Sequence, residues 1–365
     1  MMRKAIRIKL KLNNKQKTLM AQHAGYSRWC YNWGLSLWTT AYEEGYKPNG
    51  RKLREVFTNH TKPLYPWMKT LSSIVYKYAF NDLDNAFRRF FKGLGKYPRF
   101  KKKGKNDSFS LDNSGSKKPL VLNGWKHKLP FIGWVRTYEP VEATTTSRIT
   151  ISRQAGDWYL SCSYEFEPIF TEKSIDVVGV DLGVKTLATL STGETFLGAK
   201  SYRKYESKLS RMQYLNRNKV IGSTNWRKAQ LKIAKLHRKI ADIRKDTLHK
   251  LTTYLAKNHS QIAIEDLNVS GMMSNRKLAK AIADMGFYEF RRQLEYKTQW
   301  YGSELVVVDR FFPSSKTCSN CGHIQDMSLG VRTYNCPECG LSIDRDLNAS
   351  INLRNAVGLT VNACG

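Results

Sequence analysis

The pattern of apolar and polar positions in the first half of the chain predicts a strand, two helical segments and then a β-rich region. Residues 2–11 alternate between charged and apolar side chains, as a half-buried strand does. Helical spacing of apolar residues follows over about 13–45, after an asparagine that can cap a helix. Residues 47–63 are polar with two prolines, which predicts a connection before a second helix over about 67–94. From about 108 to 168 the alternation predicts strands and a hairpin.

Short apolar runs that end in an acidic residue recur in the second half. Residues 175–181 and 261–265 each have the composition of a buried strand that closes with a carboxylate. The pattern also predicts strands near 186–190, 194–198 and 305–309, basic helices over 202–258 with a break near 222–225, a helix over 276–300 and a short final helix. Strands that alternate with helices predict an α/β layout with a mixed sheet.

Composition excludes two broad classes of protein. With 41% hydrophobic and 12% aromatic residues, the chain can bury real cores, so wholesale disorder is excluded. The helical aromatics Tyr26, Trp29, Trp33 and Trp38 are expected to pack in such a core rather than to stack on bases. No run of about 18 apolar residues predicts a membrane span, and the start of the chain lacks the apolar core of a signal peptide. We therefore expect a cytoplasmic protein with no membrane partner.

Positive charge is concentrated in two blocks. The chain carries 61 Lys and Arg against 30 Asp and Glu, a net charge of +31. Residues 1–110 hold 24 basic against 6 acidic residues, and residues 200–258 hold 17 against 3. Such a field indicates a polyanionic partner, with nucleic acid as the first candidate and a solvated basic surface as the alternative.

Three acidic residues are candidates for metal-dependent chemistry. Asp181 and Glu265 end apolar strands, and Asp346 opens the last helix. Charged groups at the ends of buried strands are costly unless paired, and a divalent ion can pair them. Carboxylates that converge from separate elements hold the two Mg²⁺ or Mn²⁺ ions of phosphodiester cleavage. Taken singly, each acid is better explained as a solvated strand end or N-cap, and Asp346 could cap the final helix.

The neighbouring acids rank lower as ligands. Asp344 lies two residues before Asp346, and Asp266 follows Glu265 on a strand, so each is expected to face away from its neighbour. Arg310 is a candidate for phosphate contact near the site, as is Lys316, with surface solvation as the alternative for both.

Four cysteines predict a structural zinc site. Cys318 and Cys321, then Cys336 and Cys339, form two Cys-X-X-Cys pairs separated by fourteen residues. Paired turns of this kind place four thiolates on one tetrahedral Zn²⁺ and leave no open position for water. A glycine follows each pair, as the sharp turn requires. A disulfide or redox role is the weaker reading.

The order and content of these motifs resemble the TnpB family, transposon-encoded relatives of type V CRISPR effectors. The resemblance rests on three segments that match its RuvC motifs: Val-Asp-Leu-Gly-Val at 180–184, Ile-Glu-Asp-Leu-Asn-Val at 264–269 and Asp-Arg-Asp-Leu-Asn-Ala-Ser-Ile-Asn at 344–352. Residues 240–250 are similar to the basic helix before the second motif, and residues 310–340 to the zinc element. The basic segment 98–103, with Ser108 and Phe109, resembles the link into the family's β-barrel.

The resemblance implies a multidomain α+β fold. Its parts are an N-terminal helical recognition domain, a β-barrel wedge domain and a ribonuclease H-like RuvC nuclease domain of α/β type with an inserted zinc ribbon. The implied division is 1–10 for the first barrel strand, 11–95 for the recognition domain, 96–175 for the rest of the barrel, 176–310 for RuvC, 311–342 for the zinc insert and 343–365 for the C-terminal part of RuvC.

The resemblance also implies an RNA-guided DNA endonuclease of a transposable element, with Asp181, Glu265 and Asp346 as metal ligands. A guide RNA and double-stranded target DNA would be the partners, a short target-adjacent motif would be read by the protein, and one chain would bind one RNA. A prokaryotic, nucleoid-associated location follows. The candidate nucleic-acid contacts are Arg88, Arg89, Lys101, Lys102 and Lys103.

Three other functions stay open at this point. A small type V CRISPR effector would have the same residues and differ in genomic context. A guided DNA-binding repressor would not cut, and the intact acidic triad weighs against it. A stand-alone transposase on the same ribonuclease H-like fold would transfer strands without RNA.

Overall fold

The computed structural model describes residues 2–113, 120–141, 148–328 and 330–361, with the backbone alone for 358–361. The chain divides into two compact units, residues 3–166 and residues 167–365. Parts of the predicted ranges 96–175, 311–342 and 343–365 lie outside the described residues. The finer division into six segments stays a prediction.

The first unit combines three α-helices and six strands among its described residues, with a short π-helix at Phe57–Thr61 and 3₁₀-helices at Lys62–Leu64 and Pro66–Thr70. Its elements are β1 (Met2–Lys11), α1 (Asn14–Glu43), α2 (Gly50–Val56), α3 (Ser73–Phe91), β2 (Ser108–Asp112), β3 (Val121–Leu129), β4 (Gly133–Val141), β5 (Arg148–Gln154) and β6 (Asp157–Phe166). The strand, the two long helices and the hairpin of β5 and β6 confirm the elements expected from the alternation of apolar residues.

Helix α1 begins and packs as its sequence predicts. The Asn13 side chain accepts a hydrogen bond from the backbone of Gln16, and the Gln16 side chain accepts one from the backbone of Asn13, which forms a capping box. Tyr26 and Trp38 are buried, and Trp38 stacks on Phe87 of α3 with ring centroids 4.3 Å apart. The helical aromatics therefore build the core between α1 and α3.

The predicted connection over residues 47–63 is wrong, because this segment contains α2. Asn49 caps the helix by accepting hydrogen bonds from the backbone N–H groups of Arg51 and Lys52. Leu53 and, just after the helix, Phe57 are buried in the core. Tertiary burial of two apolar side chains thus stabilises a helix in a segment whose polar composition favours a loop.

Six described strands of the first unit form one sheet in the order β2-β5-β6-β1-β4-β3. The pairs β2–β5, β5–β6, β1–β4 and β3–β4 are antiparallel. Ile149, Ile151 and Leu160 are fully buried on the face that joins the helical core. Closure of this sheet into a barrel stays a prediction.

The second unit contains a mixed sheet, six α-helices and a small two-stranded insert among its described residues. Its elements are β7 (Ile175–Leu182), β8 (Ala188–Leu190), β9 (Thr195–Phe196), α4 (Ser201–Arg217), α5 (Thr224–Asn258), β10 (His259–Glu265), α6 (Val269–Ser274), α7 (Ala279–Met285), α8 (Phe287–Tyr301), β11 (Glu304–Val308), β12 (Thr333–Asn335), β13 (Ser342–Asp344) and α9 (Arg345–Val361).

The mixed sheet has the order β11-β10-β7-β8-β9, with the first three strands parallel and the last two antiparallel. Val178 and Ile264 face a core made with α5 and α8. Ala263 and Val308 face the opposite way and pack against α9. Helices thus cover both faces of the parallel strands, as buried parallel sheets require.

The predicted helix over residues 276–300 is wrong in one respect, because the structure has two helices there. Gly286 has φ +77°, in the left-handed region, and separates α7 from α8. Its N–H donates to the carbonyl of Ile282, which closes α7.

Candidate functional site

Two of the candidate carboxylates lie side by side at the carboxyl ends of parallel strands. Val180 of β7 is in register with Ile264 of β10, so the next residues, Asp181 and Glu265, occupy the same level of the sheet. Val180 and Ile264 are buried under α5 and α8. Because side chains alternate along a strand, Asp181 and Glu265 both point to the face that α9 covers.

Helix α9 brings the third carboxylate to this face. A Cβ atom at Gly179 would overlap the backbone carbonyl of Ser350, so only glycine permits the helix to lie directly on β7. Asp346 lies one helical turn before Ser350, and Asp181 lies two residues beyond Gly179 on the same face of the strand. The close crossing therefore places Asp346 beside Asp181.

The electrostatics of the three carboxyl groups show that they interact. Burial raises the pKa of Asp181 to about 7, and the negative charges of Asp346 and Glu265 add to this effect. The Arg345 guanidinium acts in the opposite direction. Burial also raises the pKa of Glu265. The raised pKa values of Asp181 and Glu265 are what a cation bound between carboxylates would relieve.

These residues fit a divalent metal ion by their chemistry. Carboxylate oxygens are the ligands that Mg²⁺ and Mn²⁺ prefer, and here three come from separate elements to one partly buried place. The Arg332 guanidinium lies near Asp346, with Nη1 3.9 Å from Oδ1. At that distance the pair is weak, and more than half of the Arg332 side chain is exposed.

The two lower-ranked acids have other roles in the structure. Asp344, and not Asp346, caps α9, since its Oδ1 accepts hydrogen bonds from the backbone N–H groups of Asp346 and Leu347 at 2.9 and 3.1 Å. The alternative that Asp346 is the N-cap is therefore wrong. Asp266 accepts hydrogen bonds from Arg291 and Arg310, and these lower its pKa.

These contacts also place the two basic residues expected near phosphate. Arg310 forms an ion pair with Asp266, and Lys316 forms one with Asp326 at 2.7 Å. Both cations are thus engaged by carboxylates of the second unit.

The four predicted cysteines meet in one cluster. The Sγ atoms of Cys318, Cys321, Cys336 and Cys339 all lie within 4.8 Å of one another. Two of the distances are 3.6 Å, from Cys318 to Cys339, and 3.5 Å, from Cys321 to Cys336. A tetrahedral Zn²⁺ with Zn–S bonds of about 2.3 Å needs sulfurs about 3.8 Å apart. The cluster therefore fits Zn²⁺.

Each half of the cluster is a tight turn. Gly322 and Gly340 have φ +79° and +72°, which confirms the expected sharp turns. Their N–H groups donate to the carbonyls of Cys318 and Cys336 at 3.0 and 3.1 Å. The two backbone turns thus direct the cysteines of each pair toward one point.

Two asparagines of α9 join the cysteine cluster to the carboxylate site, and sequence analysis missed them. Asn348 is fully buried, accepts a hydrogen bond from the Ser319 N–H at 2.9 Å and donates to the Thr317 carbonyl at 2.7 Å. Asn352 donates to the carbonyls of Ser314 and Thr317 at 2.8 and 2.7 Å. Their spacing of four residues on a helix with buried neighbours was the available signal.

Comparison with known proteins identifies the family. A family model described as "Probable transposase" matches residues 161–276, one described as "Cas12f1-like, TNB domain" matches 287–353, and one described as "Helix-turn-helix domain" matches 1–47. The chain is 35% identical to the "Putative RNA-guided DNA endonuclease" of Streptomyces pristinaespiralis, across 100% of this chain and 91% of that protein. It is 34% identical to the "Putative RNA-guided DNA endonuclease InsQ" of Escherichia coli (strain K12), across 99% of this chain and 94% of that protein.

The chain belongs to the TnpB family. Its fold is also similar to the protein in the "Cryo-EM structure of the Cas12f1-sgRNA-target DNA complex", with a TM-score of 0.57 and 15% identity over 94% of this chain and 84% of that one. The resemblance read from the three carboxylate motifs is thereby confirmed, and with it the multidomain α+β fold.

In this TnpB family member, the predicted nucleic-acid contacts differ in their availability. Arg89, Lys102 and Lys103 are exposed, and the Arg89 guanidinium donates a hydrogen bond to the Leu94 carbonyl at 3.3 Å. Arg88 forms an ion pair with Asp84 at 2.8 Å. Lys101 is partly buried, with Nζ 4.0 Å from the centre of the Tyr31 ring, and burial lowers its pKa.

A basic groove of about 540 Å³ borders the carboxylate site of this family member. Its basic lining residues are Lys185, Lys200, Arg203, Lys277, Lys280 and Arg332. Of these, Arg332 also lies 3.9 Å from Asp346, so one part of the groove's lining is beside that carboxylate. Among the described residues, no helix combines the length and apolarity that crossing a bilayer requires.

Proposed function

We propose that this protein is an RNA-guided DNA endonuclease of a transposable element, which cuts target DNA beside a short target-adjacent motif. The observation that carries the proposal is the convergence of Asp181, Glu265 and Asp346 where α9 crosses β7. The names of its full-length relatives support the same activity. All three acidic positions of the site are intact, which favours a cutting enzyme over a guided repressor.

The three carboxylates would hold Mg²⁺ or Mn²⁺, which supplies Lewis-acid stabilisation and a nucleophilic water when bound. The chain's own part is to hold the ligands before the substrate arrives. Asp181 and Glu265 are set by strand register, and Asp346 by the cap that Asp344 provides for α9. Ligands that are held in place need no reorganisation during the reaction. Avoiding this reorganisation is how preorganised sites accelerate a reaction.

The basic groove would guide a phosphodiester strand to these ligands. Its lysines and arginines can neutralise phosphates, and Arg332 would bring one of them next to Asp346. Lys280 already pairs with Glu206 at 2.9 Å, so we expect the remaining cations of the groove to contribute more to phosphate neutralisation.

The first unit would hold the guide RNA and the DNA beside the target. We propose that its helices form the recognition domain and its sheet the wedge domain, with the divisions expected from the sequence. Arg89, Lys102 and Lys103 are the exposed candidates for phosphate contact at the end of α3 and in the loop after it. Pairing with the guide would then select the target, and the protein would act as a monomer with one RNA.

The test begins with the RNA that copurifies when the protein is expressed with its native flanking DNA. We expect one dominant RNA with a fixed 5′ scaffold and a 3′ end that reaches into the adjacent sequence. The complex should cut duplex DNA that matches this end when Mg²⁺ is supplied. Asp181→Asn should retain RNA and DNA binding and lose cleavage by roughly a thousandfold or more, because it removes a metal-binding charge at little change in size.

Two results would contradict the proposal. Cleavage or strand transfer by the RNA-free protein would favour the stand-alone transposase. Cleavage by Asp181→Asn at the wild-type rate would mean that the chemistry lies elsewhere. Asp242→Asn is a matched control, since this exposed aspartate on α5 lies outside the site.

A further inference from the structure

The solvent-facing side of the hairpin formed by β3 and β4 carries three large exposed aromatic rings. Trp125, Trp134 and Tyr138 are 56%, 55% and 53% exposed. On the same two strands the alternate positions His127 and Val135 are fully buried. The hairpin therefore has a buried inner face and an exposed outer face that carries the three aromatic rings.

The strand geometry gathers these rings. Trp134 and Tyr138 have the same parity on β4, so they share one face. The register of β3 shifts between Gly124 and Lys126, which places Trp125 in an irregularity of the strand, and Gly124 has φ +48°. Bulges of this kind re-aim a side chain, and here the re-aimed ring is exposed.

Cations lie between the rings. Lys126 pairs in register with Arg136, and Lys128 pairs with Trp134. On the neighbouring strand β1, Lys11 pairs in register with Arg136. These four cations are on the outer face with the rings, and a hollow of about 480 Å³ is lined by Lys126, Trp134, Val135 and Arg136.

The adjacent strand extends the same surface. The Lys9 ammonium of β1 lies 5.1 Å from the centre of the Tyr138 ring. Lys9 also forms an ion pair with Asp157 of β6 at 3.1 Å, so this acid is already paired. We call the outer face formed by Trp125, Lys126, Trp134, Arg136 and Tyr138 the aromatic platform.

The aromatic platform is unlike the buried aromatic core of the same unit. Tyr26 and Trp38 fill space between helices and are shielded from water. The platform's rings leave apolar area in water, at a cost of about 25 cal/mol per Å². Single exposed rings need no explanation, but three on one face among cations have the composition of a nucleic-acid stacking surface.

Charge decides between possible occupants. A second copy of this chain would bring Lys126 and Arg136 against like charges, and the chain as a whole carries +31. A polyanion removes that repulsion. A duplex hides the faces of its bases, whereas unpaired nucleotides in RNA loops and bulges expose them to aromatic rings.

We propose that the aromatic platform binds unpaired nucleotides of RNA, with bases stacked on Trp125, Trp134 and Tyr138 and phosphates on Lys126 and Arg136. The identification of RNA as the occupant rests on the proposed function, in which a structured RNA is the resident partner. The platform adds a stacking site to the phosphate contacts considered above, and it lies in a different part of the first unit.

The experiment measures the affinity of the full-length, RNA-free protein for a hairpin RNA with an unpaired loop. Trp125→Ala, Trp134→Ala and Tyr138→Ala should each weaken binding by about fivefold or more, since a stacked base contributes roughly 1–3 kcal/mol. The dependence of affinity on salt should stay unchanged, because no charge is removed. Lys126→Gln and Arg136→Gln should instead reduce the salt dependence by about one phosphate contact each.

Tyr46→Ala is the matched control, because Tyr46 is an aromatic residue of the same unit that is 66% exposed and lies outside the platform. It should bind the hairpin RNA like the wild type. All platform variants should melt like the wild type, since exposed rings are replaced. Photocrosslinking of the loop nucleotides to Trp125 or Trp134 gives a second, independent measurement.

Three outcomes would overturn the proposal. Unchanged RNA affinity in all three aromatic variants would mean that the rings stack on nothing in RNA. If the aromatic variants lost affinity only for single-stranded DNA of the same sequence, the platform would be a DNA-binding surface. If they lost affinity only for vesicles of anionic lipid, the platform would be a membrane-binding surface. Guided cleavage is measured separately with Asp181→Asn, so the platform and the proposed endonuclease activity can fail independently.

Discussion

The second unit holds two candidate metal sites that are assembled in opposite ways. The cysteine cluster takes its ligands from two turns of one short insert, each closed by a glycine with positive φ. The carboxylate site takes one ligand from each of three distant segments, and strand register and a helix crossing bring them together. The cysteine cluster can be predicted from the spacing of its residues in the sequence, whereas the carboxylate site depends on how distant segments fold together.

The two sites also differ in what a lost ligand would affect. The cysteines organise a small segment with few apolar contacts of its own, so metal binding and folding are coupled there. The carboxylates stand on a sheet whose core is complete without them. We therefore expect loss of a carboxylate to lower the cleavage rate without destabilising the fold. Loss of a cysteine should first destabilise the insert.

The sharpest test of this difference uses two adjacent acids. Glu265→Gln should lower the cleavage rate by roughly a thousandfold or more with little change in melting temperature, since it removes a proposed metal-ligand charge that acts on the neighbouring Asp181 carboxyl. Asp266→Asn should keep cleavage within about tenfold, because Asp266 binds Arg291 and Arg310. Single-turnover cleavage and thermal melting measure both.

The opposite result would reverse the assignment of these two neighbours. If Asp266→Asn abolished cleavage and Glu265→Gln did not, the ligand would be Asp266 and its two arginines would belong to the substrate site. Equal losses of cleavage in both variants would mean that cleavage depends on the strand end as a whole and not on one carboxylate.

The second prediction concerns the cysteine cluster. Cys336→Ser should remove close to one zinc per chain, lower the melting temperature and reduce cleavage by about ten- to a hundredfold, because the unfolded insert no longer supports the start of α9. RNA binding should be retained, because the aromatic platform and the candidate contacts lie in the first unit. Elemental analysis of the purified protein measures zinc directly.

The control for this variant lies in the same turn. Glu338→Gln changes an exposed residue between Cys336 and Cys339 and should leave zinc content and cleavage unchanged. Full zinc occupancy in Cys336→Ser would contradict the four-cysteine site. Wild-type cleavage by a zinc-free variant would contradict the structural link to the carboxylates.

The sequence predicted those parts of the fold that depend on short-range pattern. Apolar runs ending in Asp181 and Glu265 gave two central strands, and Cys-X-X-Cys spacing gave the cysteine cluster. The proximity of Asp346 to these strands came from the family resemblance. Its physical cause is Gly179, which allows α9 to touch β7 and has no pattern of its own in the sequence.

The parts that could not be predicted depend on tertiary contacts. Helix α2 forms in a polar segment because Leu53 and Phe57 meet a core built by other helices. The aromatic platform depends on the irregularity of β3 at Trp125, which a simple alternation does not reveal. The spacing of Asn348 and Asn352 indicates a shared helix face, but the backbone groups that they bind on a distant segment are known only from the structure.

The smallest expected effect tests the connection between the two sites. Asn348→Ala removes two buried hydrogen bonds to the segment that enters the cysteine cluster and leaves the Ser319 N–H and the Thr317 carbonyl without this partner. We expect it to destabilise the protein by about 1–3 kcal/mol. Cleavage should fall by about tenfold, because Asp346 lies half a turn away on the same helix, while zinc content should stay at the wild-type level.

Zinc content separates this loss from the loss in Cys336→Ser. In that variant zinc and cleavage fall together, whereas in Asn348→Ala only cleavage falls. Asn355→Ala is the control, since Asn355 is an exposed asparagine further along α9. If Asn348→Ala cleaved like Asn355→Ala, the cysteine cluster and the carboxylates would be independent sites that happen to share a helix. A tenfold difference between them would instead show that the local cluster supports the convergent one through a single buried amide.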